Sequence, residues 1–339
     1  MMSQLVKLLK MNTIDTASFS DRFRQKAISL DAKAISITNY SNSLQLHDLT
    51  EPPNCNGFGR IRHFRTDHTG NWPTNPLPIL PACKNLGIPY TTELRAQVFQ
   101  NSVCNWRCWY CYVDYKLLTG DPRNSAMLTC EQLLDLYVSE PAQAPMIDLS
   151  GGQPDLTPEW VPWMMEALTN RNLSEKVFLW SDDNLSNDFF WKYLSEEQIE
   201  LVSKYKMYAR VCCFKGIDPQ TFSVNTKAAP ELFENQIVLF KRLSSLNIQL
   251  YAYITLTGPS STNFNYHIPS FLDKIQEIGE NIPLKIVPLK ISEFSPSKER
   301  TNIDKSDFLN GQEIAIEIWQ REIEKRFSFN LRSKPITDI

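Results

Sequence analysis

Three cysteines within eight residues constrain this chain more than any other feature. Cys104, Cys108 and Cys111 lie in the run Cys-Asn-Trp-Arg-Cys-Trp-Tyr-Cys, a C-x3-C-x2-C spacing. Thiolates this close can hold one iron–sulfur cube. A [4Fe-4S] cluster normally takes four cysteines. No fourth follows in the run, so one iron would keep an open position. Structural metal sites are closed, whereas catalytic ones leave a position for a substrate or cofactor. A partial zinc site, a buried apolar cluster and a redox pair with a spare thiol are the plainer alternatives. A structural zinc wants two pairs of ligands, and the chain has no second C-x2-C. Buried cysteines rarely cluster so tightly.

The spacing C-x3-C-x-aromatic-C, with Tyr110 as the aromatic, resembles the signature of the radical SAM superfamily (SAM is S-adenosylmethionine). The resemblance implies that SAM binds the open iron through its methionine amino and carboxylate groups. It also implies reductive cleavage to methionine and a 5′-deoxyadenosyl radical that abstracts hydrogen from a substrate.

The chain has 339 residues, 42% of them hydrophobic, enough for a sizeable core. A net charge of −3 gives no general pull toward nucleic acid or anionic membrane. The balance is uneven, with ten Lys/Arg against six Asp/Glu in residues 1–90. No apolar run reaches the ~18 residues of a membrane helix, and the first dozen residues do not read as a signal peptide. Eight cysteines do not suggest a secreted disulfide framework. A cytoplasmic protein is expected.

From residue 94 strands and helices alternate, as in a parallel α/β sheet. Apolar runs predict strands near 94–100, 146–149, 176–180, 208–214, 249–257 and 284–291. Helices are expected at 129–137, 158–168, 187–194, 196–205, 231–246 and 268–279. Thr129 with Gln132, and Ser195 with Gln198, form capping boxes. Right-handed crossovers would curl six such strands into a partial (β/α)6 barrel, the fold the resemblance also implies. Three parts are expected: an N-terminal extension over 1–93, helical then proline-rich and irregular; a barrel over 94–294; and a C-terminal helix (312–326) and tail over 295–339.

Ser150-Gly151-Gly152-Gln153-Pro154 follows the second strand, where ligands of α/β folds lie and where glycines let backbone approach them. The segment resembles the family's Gly-Gly-Glu-Pro, whose backbone receives the SAM amino group. Gln153 replaces the glutamate, which keeps carbonyl acceptance but no negative charge. An ordinary strand–helix turn is the alternative. Ser181, Asp182 and Asn184 end the third strand. There the resemblance implies contacts to the SAM ribose and carboxylate, against a solvated turn. Lys215 lies in a Lys-Gly-x-Asp-Pro stretch similar to that of glycyl-radical-enzyme activases, and a lysine there would pair with the SAM carboxylate. A surface lysine is the alternative. Thr255 on the fifth strand and Tyr110 complete the expected cofactor-binding set.

Cys55, His63, His68 and Cys83 are too irregularly spaced to form a compelling metal site. Arg60, Arg62 and Arg65 suit an anionic group, or else a solvated basic face. The expectation is a radical SAM enzyme acting on a small molecule, with residues 52–90 and the C-terminal segment covering the barrel mouth. A one-electron donor such as flavodoxin or ferredoxin is implied. The alternatives are an activase or modifier of a protein or peptide, and a non-catalytic iron–sulfur electron-transfer module.

Overall fold

The structure is a computed structural model and describes residues 13–41, 43–67, 74–300 and 303–339. Helix α1 (Thr16–Ala27) starts where the Asp15 carboxylate accepts the Ser18 amide, a standard N-terminal cap. A hairpin follows, β1 (Ile28–Ser29) and β2 (Ala34–Thr38). Strand β3 (Gly59–Arg65) comes next, then α2 (Ile79–Leu86), which stops at Gly87 in the left-handed conformation. The chain continues through β4 (Glu93–Asn101), β5 (Ser125–Thr129), α3 (Cys130–Ser139), β6 (Met146–Gly151), α4 (Trp160–Asn170) and β7 (Phe178–Asp183). Then come α5 (Phe189–Tyr193), α6 (Glu196–Lys204), β8 (Tyr208–Phe214), α7 (Pro219–Thr226), α8 (Leu232–Ser244) and β9 (Gln249–Ile254). The described chain ends with α9 (Phe264–Gln276), β10 (Ile286–Pro288), α10 (Ser295–Lys298), α11 (Lys305–Arg326) and α12 (Phe329–Arg332).

Strands β4, β6, β7, β8, β9 and β10 pair in that order, all parallel, so the expected α/β fold is present. Both expected capping boxes form, at the starts of α3 and α6. Alternation along the strands separates two cores. Ile147, Leu149, Leu179, Cys212, Phe214 and Ile254 pack outward against the helices. Ala96, Met146, Phe178, Ala209, Tyr251 and Tyr253 share an inner core, so the sheet curls around that face as a partial barrel. Helix α2 places Ile79, Ala82 and Cys83 in the same inner core and plugs the end where the strands begin. Burying each such side chain contributes about 1.5–3 kcal/mol for the larger ones.

Parts of the termini are more regular than composition suggests. Strand β3 runs antiparallel along β4, pairing Arg65 with Glu93 through Gly59 with Phe99. Strand β2 takes over at Ile37 opposite Asn101, and β5 pairs with β2. The last residues also pack: Ile336 lies against the inner core and Lys84 bonds Asp338 at 2.7 Å. Helix α7 is an element the apolar pattern misses. Asp218 accepts the Gln220 and Thr221 amides at its start, with Pro219 in its first turn. Two residues of the Lys-Gly-x-Asp-Pro stretch therefore start a helix.

Candidate active site

The cysteine loop leaves the C-terminal end of β4. Cys104 and Cys108 are buried, Cys111 is half-buried, and none forms a disulfide. Two arginines hold the loop by its carbonyls. Arg107 donates from Nη1 to the oxygens of Cys104 (2.6 Å) and Trp106 (2.7 Å). Arg300, from beyond α10, donates from Nη1 to Cys108 (3.2 Å), Trp109 (2.9 Å) and Cys111 (2.5 Å), and from Nη2 to Val113 (2.8 Å). Its guanidinium also lies 3.8 Å from the centre of the Tyr115 ring. Hydrogen bonds from a charged donor are about twice as strong as neutral ones, so the loop is anchored from both sides. Trp109 adds a bond from Nε1 to Asn225 Oδ1 at 2.9 Å and an edge contact with Phe308 of α11.

Burial pushes the Cys104 thiol up and the Cys108 thiol up to about 12, with the Lys215 ammonium pulling both the other way. Lys215 is itself only 8% exposed. Burial works against its charge, and the sulfurs of Cys213, Cys108, Cys104 and Cys111 outweigh that. Among the described residues no three Cys, His, Asp or Glu side chains converge on a single ion. A cube makes a different demand, because each thiolate sits on its own iron. Three free thiols within one another's field, in one anchored loop beside a buried cation, fit that donor set.

The Gly-Gly turn is built into the same loop. Gly151 has φ +95°, and a Cβ there would fall 1.9 Å from the Gln100 side chain. A Cβ on Gly152 would fall 1.8 Å from the Val103 carbonyl, so only glycine fits. Gly152 N donates to Asn101 O (3.2 Å) and Gln153 N to Val103 O (2.8 Å). The turn therefore locks β6 to the residue just before Cys104. Gln153 is fully buried; its Nε2 donates to Asp183 Oδ1 (2.9 Å) and its Oε1 accepts the Asn184 amide (2.9 Å). A glutamate could not donate to Asp183 in this way. Asp183 also meets Arg210, which pairs with Asp155 beside Pro154, an ion triad buried among the helices. Burial raises the Asp155 carboxyl to about 7 against the pull of Arg210.

The expected cofactor residues divide by strand face. Asp182, Lys215 and Thr255 carry the inward parity of Trp180, Cys213 and Tyr253. Tyr110 joins them through a 3.1 Å hydroxyl contact with Thr255 Oγ1. Asp182 Oδ2 accepts from Ser150 Oγ at 2.5 Å. Asn184 donates to the Gly152 carbonyl at 3.2 Å. Ser181 faces the helices instead and bonds the Tyr208 hydroxyl at 2.7 Å.

The loose Cys/His set is not gathered. His63 bridges Glu51 (2.7 Å) and Glu93 (2.5 Å). The Cys55 amide donates to Glu140 at 2.7 Å, and Cys83 lies in the plug helix. His68 lies outside the described residues. Arg65 pairs with Glu93 at 2.7 Å near the surface. Arg60 and Arg62 share the inward face of β3 with Phe64 and point into the barrel, where Arg62 reaches Asp148 at 3.4 Å. Sequence reasoning missed Arg300 and Asp148. The alternating Gly-Arg-Ile-Arg-His-Phe-Arg pattern was the available signal for a two-faced β3.

No family model matches the chain, and no curated protein does. Several solved structures are similar. Streptococcus suis SuiB bound to S-adenosylmethionine is 16% identical, with a TM-score of 0.43, over 66% of this chain and 47% of that one. SuiB bound to precursor peptide SuiA is 14% identical, with a TM-score of 0.45, over 76% and 55%. Native anSMEcpe with bound AdoMet and Cp18Cys peptide is 14% identical, with a TM-score of 0.43, over 66% and 58%. The alignments thus span about half the length of those proteins. In its own motifs and strand order the chain resembles radical SAM proteins. Among the described residues no helix is long and apolar enough to cross a membrane.

Proposed function

We propose that this chain is a radical SAM enzyme. One observation carries the reading: three free thiols beside a buried lysine, at the C-terminal ends of six parallel strands that pair in sequence order. Cys104, Cys108 and Cys111 hold a [4Fe-4S] cluster. That cluster, reduced by an external one-electron donor such as flavodoxin or ferredoxin, supplies the electron that splits SAM into methionine and a 5′-deoxyadenosyl radical. The turn from Gly151 to Pro154 offers backbone carbonyls to the SAM amino group. Lys215 faces the SAM carboxylate as a point cation. Asn184 accepts from ribose hydroxyls, Asp182 stands beside Asp148 on the inner wall instead, and Tyr110 with Thr255 borders the adenine. The buried setting of these groups keeps water from the radical.

The substrate reading is a small molecule entering the barrel. Two of the similar structures hold peptides, SuiA and Cp18Cys, and a peptide-modifying reading stands beside it. Anaerobic reconstitution with iron and sulfide, followed by SAM and dithionite, tests the activity. The expected result is a 4Fe–4S spectroscopic signature and formation of 5′-deoxyadenosine, both lost in Cys108→Ala. Zinc in place of iron, or four protein ligands on the cluster, would refute the reading.

A further inference from the structure

The barrel lumen holds polar groups that the cysteine loop and the SAM turn leave unused. Arg60 pairs in register with Val98, and Val98 with Asp148, so both side chains share one row of the inner wall. Arg60 is 2% exposed and Asp148 is fully buried. Arg60 Nη2 donates to the Tyr112 hydroxyl at 2.9 Å, and Arg62 Nη1 meets Asp148 at 3.4 Å, a long contact for an ion pair. Several polar atoms on this wall have no hydrogen-bond partner: Arg60 Nε, Asp148 Oδ1, Asp182 Oδ1 and Gln45 Oε1. Leaving one such atom buried and unpaired costs about 1–3 kcal/mol, and more when it is charged. Their gathering on one inner wall points to a polar guest.

Charge narrows the guest. Arg62 meets Asp148, whereas among the described residues Arg60 has no carboxylate at ion-pair distance and donates to the neutral Tyr112 hydroxyl. Positive charge is left over for a single anionic group. A carboxylate fits this better than a phosphate dianion, and the guanidinium fork matches it. The unpaired aspartate oxygens ask for donors, which a hydroxyl or an amine supplies.

We propose that the lumen wall formed by Arg60, Arg62, Asp148 and Asp182 is the substrate pocket, and that it binds a carboxylic acid bearing a hydroxyl or amino group, with the carboxylate on Arg60. This rests on the radical SAM reading, which gives the wall a reaction to serve.

Calorimetric titration of the anaerobic, SAM-loaded holoenzyme tests it with malate, malamide, inorganic phosphate and the peptide Gly-Glu-Gly. Malate should bind at least tenfold more tightly than malamide and than phosphate, and Arg60→Gln should lose that margin. Gly-Glu-Gly binding more tightly than malate, again only with Arg60 intact, would support the same pocket with a peptide as the source of the acid. Equal binding of malate and malamide by the wild type overturns the proposal, and that measurement needs no variant to fold. Phosphate outcompeting malate overturns the carboxylate. A tenfold loss of SAM affinity in Arg60→Gln would assign the arginine to SAM and overturn it too. Formation of 5′-deoxyadenosine without substrate is read in parallel. If it is absent from the wild type, the radical SAM reading has failed; if it is present while the titrations fail, only the pocket has.

Discussion

Single side chains decide the shape of the loop ends. Gln153 is needed as an amide because it donates to Asp183 while accepting from Asn184. Gln153→Glu would set two carboxylates face to face and is expected to cost about 1–3 kcal/mol. Thermal unfolding should show the loss at neutral pH and a smaller one near pH 5, where the new carboxyl regains a proton to donate. Asp148 gives a pH signature of its own. Its carboxyl is raised to about 7, first by burial and then by Asp182. In the unfolded chain it ionises at about 3.9. The folded protein therefore binds more protons through that window, and this contribution to stability is full below it and lost as pH climbs through about 7. Asp148→Asn does not titrate, so its melting temperature relative to wild type should rise from pH 5 to pH 8. A flat difference would refute the assignment. Neither role is legible in the sequence. Gln153 stands out only as a departure from Gly-Gly-Glu-Pro, and Asp148 sits in an apolar run that predicts a strand and nothing more.

Elements join through a few contacts that are distant in sequence. The cysteine loop depends on Arg300 for four carbonyl contacts. Arg300→Ala is expected to leave the helix content unchanged while lowering iron uptake on reconstitution several-fold. Arg300→Lys should recover part of it, because an ammonium has fewer donors and no fork. Equal iron content in all three proteins would show the clamp to be dispensable. The middle barrel strands β6 to β9 were legible because each carries apolar residues over an ordinary strand length bounded by turns, whereas β10 forms only over Ile286–Pro288 of the expected 284–291. Strand β3 was not legible, since its inward residues include arginines, and the inside of this barrel is polar at that row. Strands β1 and β5 escaped for another reason: one is two residues long and the other is only partly buried, so neither leaves a period to read.

Across the whole molecule, α2 and the segment around Ile336 close the barrel at its base. Ile79, Ala82 and Cys83 of α2 fill the inner core, with Ile336 against them. Ile79→Ala should cost about 2–5 kcal/mol, the usual range for a buried isoleucine. A drop in melting temperature would register it, and a stability loss no larger than that of a surface substitution would sink the plug. The Arg300 clamp carries a further consequence for how the protein matures. The Trp109 carbonyl waits for a partner 191 positions downstream. While the second half of the barrel is still being made, the nascent loop has Arg107 and Tyr115 on its carbonyls but not yet Arg300. On the cluster reading proposed above, iron delivery to a finished nest belongs after the chain around Arg300 has folded back over the cysteine loop.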